Sequence, residues 1–184
     1  MGAALCRCDS VGLRDKPSLD LARQLLPPHK GTSLRAEADL ALPTRAATPE
    51  RVAFLLRHYR LGERFAIIAP KGTSGRGAVR ILTTWLCSLR AEGVRLVFVP
   101  LYPKEDLPLC RQLSLHEEDR ILTGLSPSDL VGLMGQVEVV CGMRLHALIF
   151  AASAEAPFVG FGTDPKIRAF CEENGGVYFT DLYG

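Results

Sequence analysis

A chain of 184 residues, 47% hydrophobic and 23% charged, has room for one well-packed globular domain, or for one domain plus part of another. A net charge of +2, with basic residues scattered among acidic ones, excludes the basic stripe of a nucleic-acid binder. No apolar run approaches the roughly 20 residues of a membrane-spanning helix, and the opening Met1-Gly2-Ala3-Ala4-Leu5-Cys6 lacks the regions of a signal peptide, so the expected location is cytoplasmic.

The first 45 residues read differently from the rest. Val11-Gly12-Leu13 is a short strand candidate, and Pro17–Leu26 an amphipathic helix broken by Pro27-Pro28-His29-Lys30-Gly31. Glu37 to Pro43 then drifts into a connector that runs to Pro49. This piece is too short for a core of its own, so residues 1–45 read as the remnant of an amino-terminal domain plus a linker.

Residues 46–184 are regular. A helix is predicted over Pro49–Tyr59, capped by Thr48 with proline at its first position. Phe65–Ala69 is a continuous apolar strand, followed by the loop Pro70–Arg76 and a helix from about Gly77 to Ala91. A strand over Arg95–Pro100, a helix over about Lys104–Leu113 and a short strand at Arg120–Leu122 come next. Ser126 caps a helix that runs to Met134. Val137–Cys141 is again an apolar strand, and it leads into an apolar helix from about Leu145 to Ala154. A strand over Pro157–Gly160 and a helix over about Asp164–Asn174, closed by Gly175, complete the pattern. Apolar strands alternating with helices predict an α/β domain with a Rossmann-like parallel sheet flanked by helices, and ligands at the carboxyl ends of its strands.

Six cysteines are present, with no C-x-x-C spacing, and no metal site is expected. Cys87, Cys141 and Cys171 sit among apolar neighbours and read as small buried hydrophobes.

The turn Gly142-Met143-Arg144-Leu145-His146 joins an apolar strand to an apolar helix. The first amides of a helix have no internal partner and its dipole favours an anion, while arginine adds a planar clamp and histidine a proton carrier near neutral pH. Residues two apart on an ideal helix point about 200° away from each other, so Arg144 and His146 share a site only if Arg144 lies in the turn. The alternative is an Arg144 paired with a carboxylate and a half-buried, satisfied His146. A second strand-to-helix loop, Pro70-Lys71-Gly72-Thr73-Ser74-Gly75-Arg76-Gly77, has the composition of a phosphate cradle, with Lys71, Thr73, Ser74 and Arg76 as possible donors. It matches neither G-x-x-x-x-G-K-[ST] nor G-x-G-x-x-G, and a surface loop explains it equally well. Asp164 and Lys166 follow the next strand, where helix capping by Asp164 is the plainer account.

The stretch Val139-Val140-Cys141-Gly142-Met143-Arg144-Leu145-His146-Ala147-Leu148-Ile149-Phe150-Ala151-Ala152 is similar to the signature of the polysaccharide pyruvyl transferases. Pro157-Phe158-Val159-Gly160 and Thr163-Asp164-Pro165-Lys166 match the strand and Y-D-P-K segment that follow it in that family, with Thr163 replacing the tyrosine. Val11-Gly12-Leu13-Arg14-Asp15-Lys16-Pro17-Ser18 resembles its V-x-x-R-D-x-x-S segment, and Ala38-Asp39-Leu40-Ala41-Leu42 its D-P-A-L connector. Ala69-Pro70-Lys71 stands where the family commonly has V-R-P.

The resemblance implies a glycosyltransferase-B-like architecture of two Rossmann-like domains. This chain then holds the carboxyl-terminal, donor-binding half, and a missing amino-terminal domain or a second chain supplies the rest. The implied reaction carries pyruvate as a ketal from phosphoenolpyruvate to a sugar of a lipid-linked or polymeric saccharide, with no cofactor besides that donor. His146 is implied as acid or base and Arg144 as the anion clamp. Gly142, Met143, Lys71, Gly72, Thr73, Ser74, Arg14, Asp164 and Lys166 are the expected substrate-binding residues. The competing expectations are a nucleotide-sugar-dependent glycosyltransferase-B donor domain, although no Glu-rich stretch lies near Asp164, and a truncated, non-catalytic fragment.

Overall fold

The computed structural model describes residues 5–13, 16–26, 31–37, 39 and 41–180. Arg14, and the expected helix break at Pro27 to Lys30, lie outside the described residues. The chain divides into two compact units, Met1–Leu42 and Pro43–Gly184.

The first unit is a β-α-β element. Strand β1 (Ser10–Leu13) pairs in parallel with β2 (Ser33–Ala36), and helix α1 (Lys16–Leu25) connects them, burying Leu19 and Ala22. β2 is absent from the sequence expectations because Ser-Leu-Arg-Ala has no β-branched or aromatic residue.

The second unit contains α2 (Pro49–His58), β3 (Phe65–Ala69), α3 (Arg76–Ala91), β4 (Arg95–Phe98), α4 (Pro103–Leu113), β5 (Arg120–Ile121), α5 (Pro127–Met134), β6 (Val139–Gly142), α6 (Leu145–Ser153), β7 (Phe158–Phe161), α7 (Pro165–Asn174) and β8 (Val177–Phe179). Its strands lie in the order β5-β4-β3-β6-β7-β8, all parallel. Numbered within the unit this is 3-2-1-4-5-6, the Rossmann order, and its topological switch point falls between β3 and β6. Every residue of β3 is buried, as a strand covered on both faces requires. Ala66 and Ile68 face the core built with Leu82 and Leu86 of α3 and Leu109 and Cys110 of α4.

The helix starts follow local chemistry. Thr48 accepts from the Arg51 amide at 3.3 Å and Asp164 from the Lys166 amide at 3.0 Å. Gly175, at φ 74°, closes α7 in the left-handed conformation, and β8 follows it. That three-residue edge strand was too short to give a period in the sequence. Cys110, Cys141 and Cys171 are buried, but Cys87 is exposed, which corrects its expected burial. Helix α3 buries Ala78, Leu82, Leu86 and Leu89, and Cys87 stands about 100° round from Leu86. Burial, with Asp106 adding, pushes the Cys110 thiol up to about 12, and burial also raises Cys141 and Cys171, so none of the three is a thiolate near neutral pH.

Asp129 ties α2 and α5 together. It forms a capping box with Ser126 and accepts from Arg51 Nε at 2.9 Å and Nη2 at 3.1 Å. The Arg51 hydrogen bonds hold its carboxyl below the ordinary value of 3.8, and those from Ser126 add to this. A depressed folded pKa contributes stability that is present above the unfolded pKa and is lost as pH falls through the folded one. Chemical denaturation across a pH series is therefore expected to show stability dropping below about pH 4. Asp129→Asn should shrink that drop while lowering stability at pH 7; an unchanged acid limb would show that the pair carries none of it.

Candidate functional site

The site grows out of the carboxyl ends of β3, β6 and β7. β6 ends at Gly142, where an added Cβ would come 2.5 Å from Leu148 Cδ2, so the glycine lets α6 lie close on the strand. The Met143 amide donates to the Ala69 carbonyl at 2.9 Å, extending the β3–β6 ladder by one step. Arg144 then turns the chain at φ −115° and ψ 127° and is the N-cap of α6, with no side-chain cap and no acidic residue in the first turn. The opening amides of α6 thus have no side-chain partner among the described residues.

Arg144 therefore lies in the turn and His146 in the first turn of the helix, but their side chains part. His146 is exposed, with its ring 6.3 Å from that of Phe150. The Arg144 guanidinium reaches the first turn of α4. Nε lies 3.1 Å from Asp106 Oδ2, and Nη2 lies 2.5 Å from Asp106 Oδ1 and 2.8 Å from Glu105 Oε2. Its Cζ is 5.7 Å from the centre of the Tyr102 ring. The hydrogen bond to buried Asp106, joined by that to Glu105, raises the Arg144 pKa further, so the guanidinium is charged at every practical pH.

The glycine-rich loop is docked on the same carboxylate. The Gly72 amide donates to Asp106 Oδ1 at 3.1 Å, and an added Cβ on Gly72 would stand 1.8 Å from the Glu105 carbonyl oxygen. This glycine serves close backbone approach to α4. Beyond it the loop closes a turn, with the Ser74 amide donating to the Lys71 carbonyl at 2.9 Å, and then enters α3.

A cleft of about 370 Å³ opens at this corner, lined by Lys71, Thr73, Ser74 and Gly75, by Met143, and by Phe161 to Pro165 with Ile167. It brings together five of the expected substrate-binding residues: Lys71, Thr73, Ser74, Met143 and Asp164. Gly72, Gly142, Arg144, His146 and Lys166 are not among the lining residues. Gly75 is the N-cap of the 16-residue α3, has no side-chain cap and is followed by no acid in the first turn. Bare amides at the start of a long helix favour a bound anion. Lys71 has no ion-pair partner among the described residues, and the one carboxylate on the lining, Asp164, spends Oδ1 on the Lys166 amide. A groove of about 470 Å³ between α2 and α5 is larger, but it is lined mainly by alanine, glycine and aliphatic side chains and gathers no set of cations. Among the described residues no group of three or more His, Cys, Asp or Glu side chains is placed to hold a metal, and no helix is long and apolar enough to cross a membrane.

The residues that sequence reasoning missed are Asp106, Glu105 and Tyr102. Two acids in a helix's first turn are ordinary dipole complements, so nothing local marks Asp106 as a ligand of an arginine 38 positions away. The available signal was topological: in the Rossmann order β4 and β6 flank β3, so the helix start after β4 and the turn after β6 lie on either side of the loop that follows β3.

Solved structures share the fold. A crystal structure of WaaG, a glycosyltransferase involved in lipopolysaccharide biosynthesis, aligns with a TM-score of 0.59 and 13% identity, covering 94% of this chain and 50% of that one. A glycosyltransferase from Rickettsia africae ESF-5 gives 0.57 and 14% over 85% and 45%. The E. coli ADP-heptose lipopolysaccharide heptosyltransferase II gives 0.51 and 15% over 92% and 52%. At such identities the likeness is one of fold, that of the glycosyltransferase-B-like proteins, and the chain spans about half the length of each. No individually curated protein sequence matches significantly. The family profile of the polysaccharide pyruvyl transferases, whose signature the turn at Gly142 to His146 resembles, matches residues 3–165, and the chain belongs to that family.

Proposed function

We infer that the chain is the donor-binding part of a transferase that moves pyruvate from phosphoenolpyruvate onto two hydroxyls of a saccharide. The observation that carries this is the cleft at the carboxyl ends of β3, β6 and β7, where the α3 amides have no side-chain cap and Lys71 has no ion-pair partner among the described residues, in a chain of this family. The donor's methylene carbon takes a proton, and one sugar hydroxyl bonds to the neighbouring carbon. Phosphate leaves, and the second hydroxyl closes the ketal; of the two hydroxyl protons, one is balanced in the new methyl group and one in the phosphate. Lys71, Thr73, Ser74 and the α3 amides suit the phosphate. Arg144 suits an anionic group of the donor, and His146 the proton transfer, a role typically worth about 10²–10⁴ in rate. On this reading the saccharide is held with help from a further domain or a second chain, in keeping with a length half that of its structural neighbours.

The single tryptophan, Trp85, packs 5.6 Å from the ring of Phe161, which lines the cleft, so its fluorescence provides a readout. Phosphoenolpyruvate is expected to shift Trp85 emission saturably, and Lys71→Ala to weaken that binding about tenfold, the worth of one charge-assisted contact. A folded chain that binds no phosphoenolpyruvate, or binds it equally without Lys71, would overturn the donor assignment. Binding of a nucleotide sugar instead would move the chain to the glycosyltransferase reading.

A further inference from the structure

Asp106 joins three loops at the carboxyl edge of the sheet. It is 0% exposed and accepts from the Gly72 amide after β3 at 3.1 Å and from the Tyr102 amide after β4 at 2.8 Å. From the turn after β6 it accepts from both Nε and Nη2 of Arg144. An ionised carboxylate has about four lone-pair positions, so Asp106 is fully occupied. A guanidinium has two forks that fit a carboxylate or phosphate. Asp106 takes the Nε/Nη2 fork. The outer fork, Nη1 with the second hydrogen of Nη2, is only half taken. Nη2 also donates to Glu105 Oε2, whose side chain is 40% exposed, while Nη1 has no partner among the described residues and is not buried.

We propose that Asp106 is a positioning residue that aims the outer fork of Arg144 at an anionic group of the donor, and that Glu105 is an internal competitor displaced when that group binds. This rests on the donor-site reading above. The two adjacent acids then have opposite effects on anion affinity. Neutralising Glu105 frees the fork, whereas neutralising Asp106 lets the guanidinium swing and releases Gly72. If both acids acted only through their negative field, neutralising either would tighten an anion.

The test is calorimetric titration of phosphoenolpyruvate into the full chain and into Glu105→Gln, Asp106→Asn, Arg144→Lys and the Glu105→Gln/Arg144→Lys double variant. Glu105→Gln should bind up to about fivefold tighter, the worth of a partly exposed ion pair. Asp106→Asn should bind about tenfold weaker. In the Arg144→Lys background, which has no fork, Glu105→Gln should change affinity by less than about twofold. Tightening by both neutral variants, no change in either, or full Glu105→Gln tightening without the Arg144 fork would each overturn the proposal. If Asp106→Asn does not fold, the Glu105–Arg144 cycle still decides. If the parent chain binds neither phosphoenolpyruvate nor inorganic phosphate, the donor reading fails, and the Arg144 Nε–H resonance in ¹⁵N spectra decides the positioning role. Its survival in Glu105→Gln and loss in Asp106→Asn would support that role, and its survival in both would overturn it.

Discussion

Arg144→Ala is expected to lower the free energy of unfolding by about 3 kcal/mol, a large effect for a single side chain in a turn. The reason is the carboxylate left behind. Asp106 is wholly buried, and losing the guanidinium strips it of two of four hydrogen bonds and of its only countercharge among the described residues. The Gly72 and Tyr102 amides remain, but neutral donors do not offset a buried charge. Urea unfolding should show a lower midpoint with an unchanged slope. In the Asp106→Asn background the same alanine should cost much less than it does alone, because the charge to be compensated is gone. An Arg144→Ala chain within about 1 kcal/mol of the parent would mean that Asp106 does not depend on Arg144. Loss of activity in Arg144→Ala thus mixes lost binding with a loosened corner. Arg144→Lys, which keeps a charge near Asp106 but lacks the outer fork, separates the two.

Much of the fold was legible because each local rule pointed the same way. The five apolar residues of β3, the Thr48-Pro49 and Ser126-Pro127 starts and the Gly175 stop each state their structure within a few residues. β2 and β8 were not legible, being short edge elements whose pairing comes from neighbouring strands rather than from a period of their own. The site divides along the same line. Glycine-rich composition at a strand's carboxyl end pointed to Lys71, Thr73 and Ser74, which do line the cleft. For Arg144 the sequence left two readings open, anion clamp or partner of a carboxylate. The structure realises the second through one fork, while the other fork, half taken by Glu105, is the one assigned to the proposed clamp. No inspection of residues 140–150 could reveal this, since the deciding group enters from α4. Gly142 and Gly72 are further cases: a glycine beside a ligand loop suggests ligand approach, but here Leu148 and the Glu105 carbonyl occupy the space.

The close approach at Gly72 gives the second large expectation, a loss of phosphoenolpyruvate affinity of at least about tenfold in Gly72→Ala, with a stability cost of about 1–3 kcal/mol. A methyl group there would lie 1.8 Å from the Glu105 carbonyl oxygen and 2.6 Å from its carbon. Both are backbone atoms of a helix's first turn and cannot rotate aside, so the loop must lift. Lifting breaks the Gly72–Asp106 bond and moves Lys71, Thr73, Ser74 and the Gly75 entry to α3, which form one wall of the cleft. Global stability suffers less, because β3 and α3 keep their own core contacts. Gly132→Ala is a control for steric insertion away from the cleft. Its Cβ would come 2.6 Å from Val52 Cγ2, a milder clash and with a side chain, between α5 and α2, where it touches no residue of the cleft. Gly132→Ala should therefore lower the melting temperature while leaving Trp85-detected binding intact, whereas Gly72→Ala should weaken binding beyond what its melting predicts. Equal losses of binding in the two variants would mean that affinity follows overall stability; unequal losses of the expected sign would tie it to the seat of one loop on the first turn of α4.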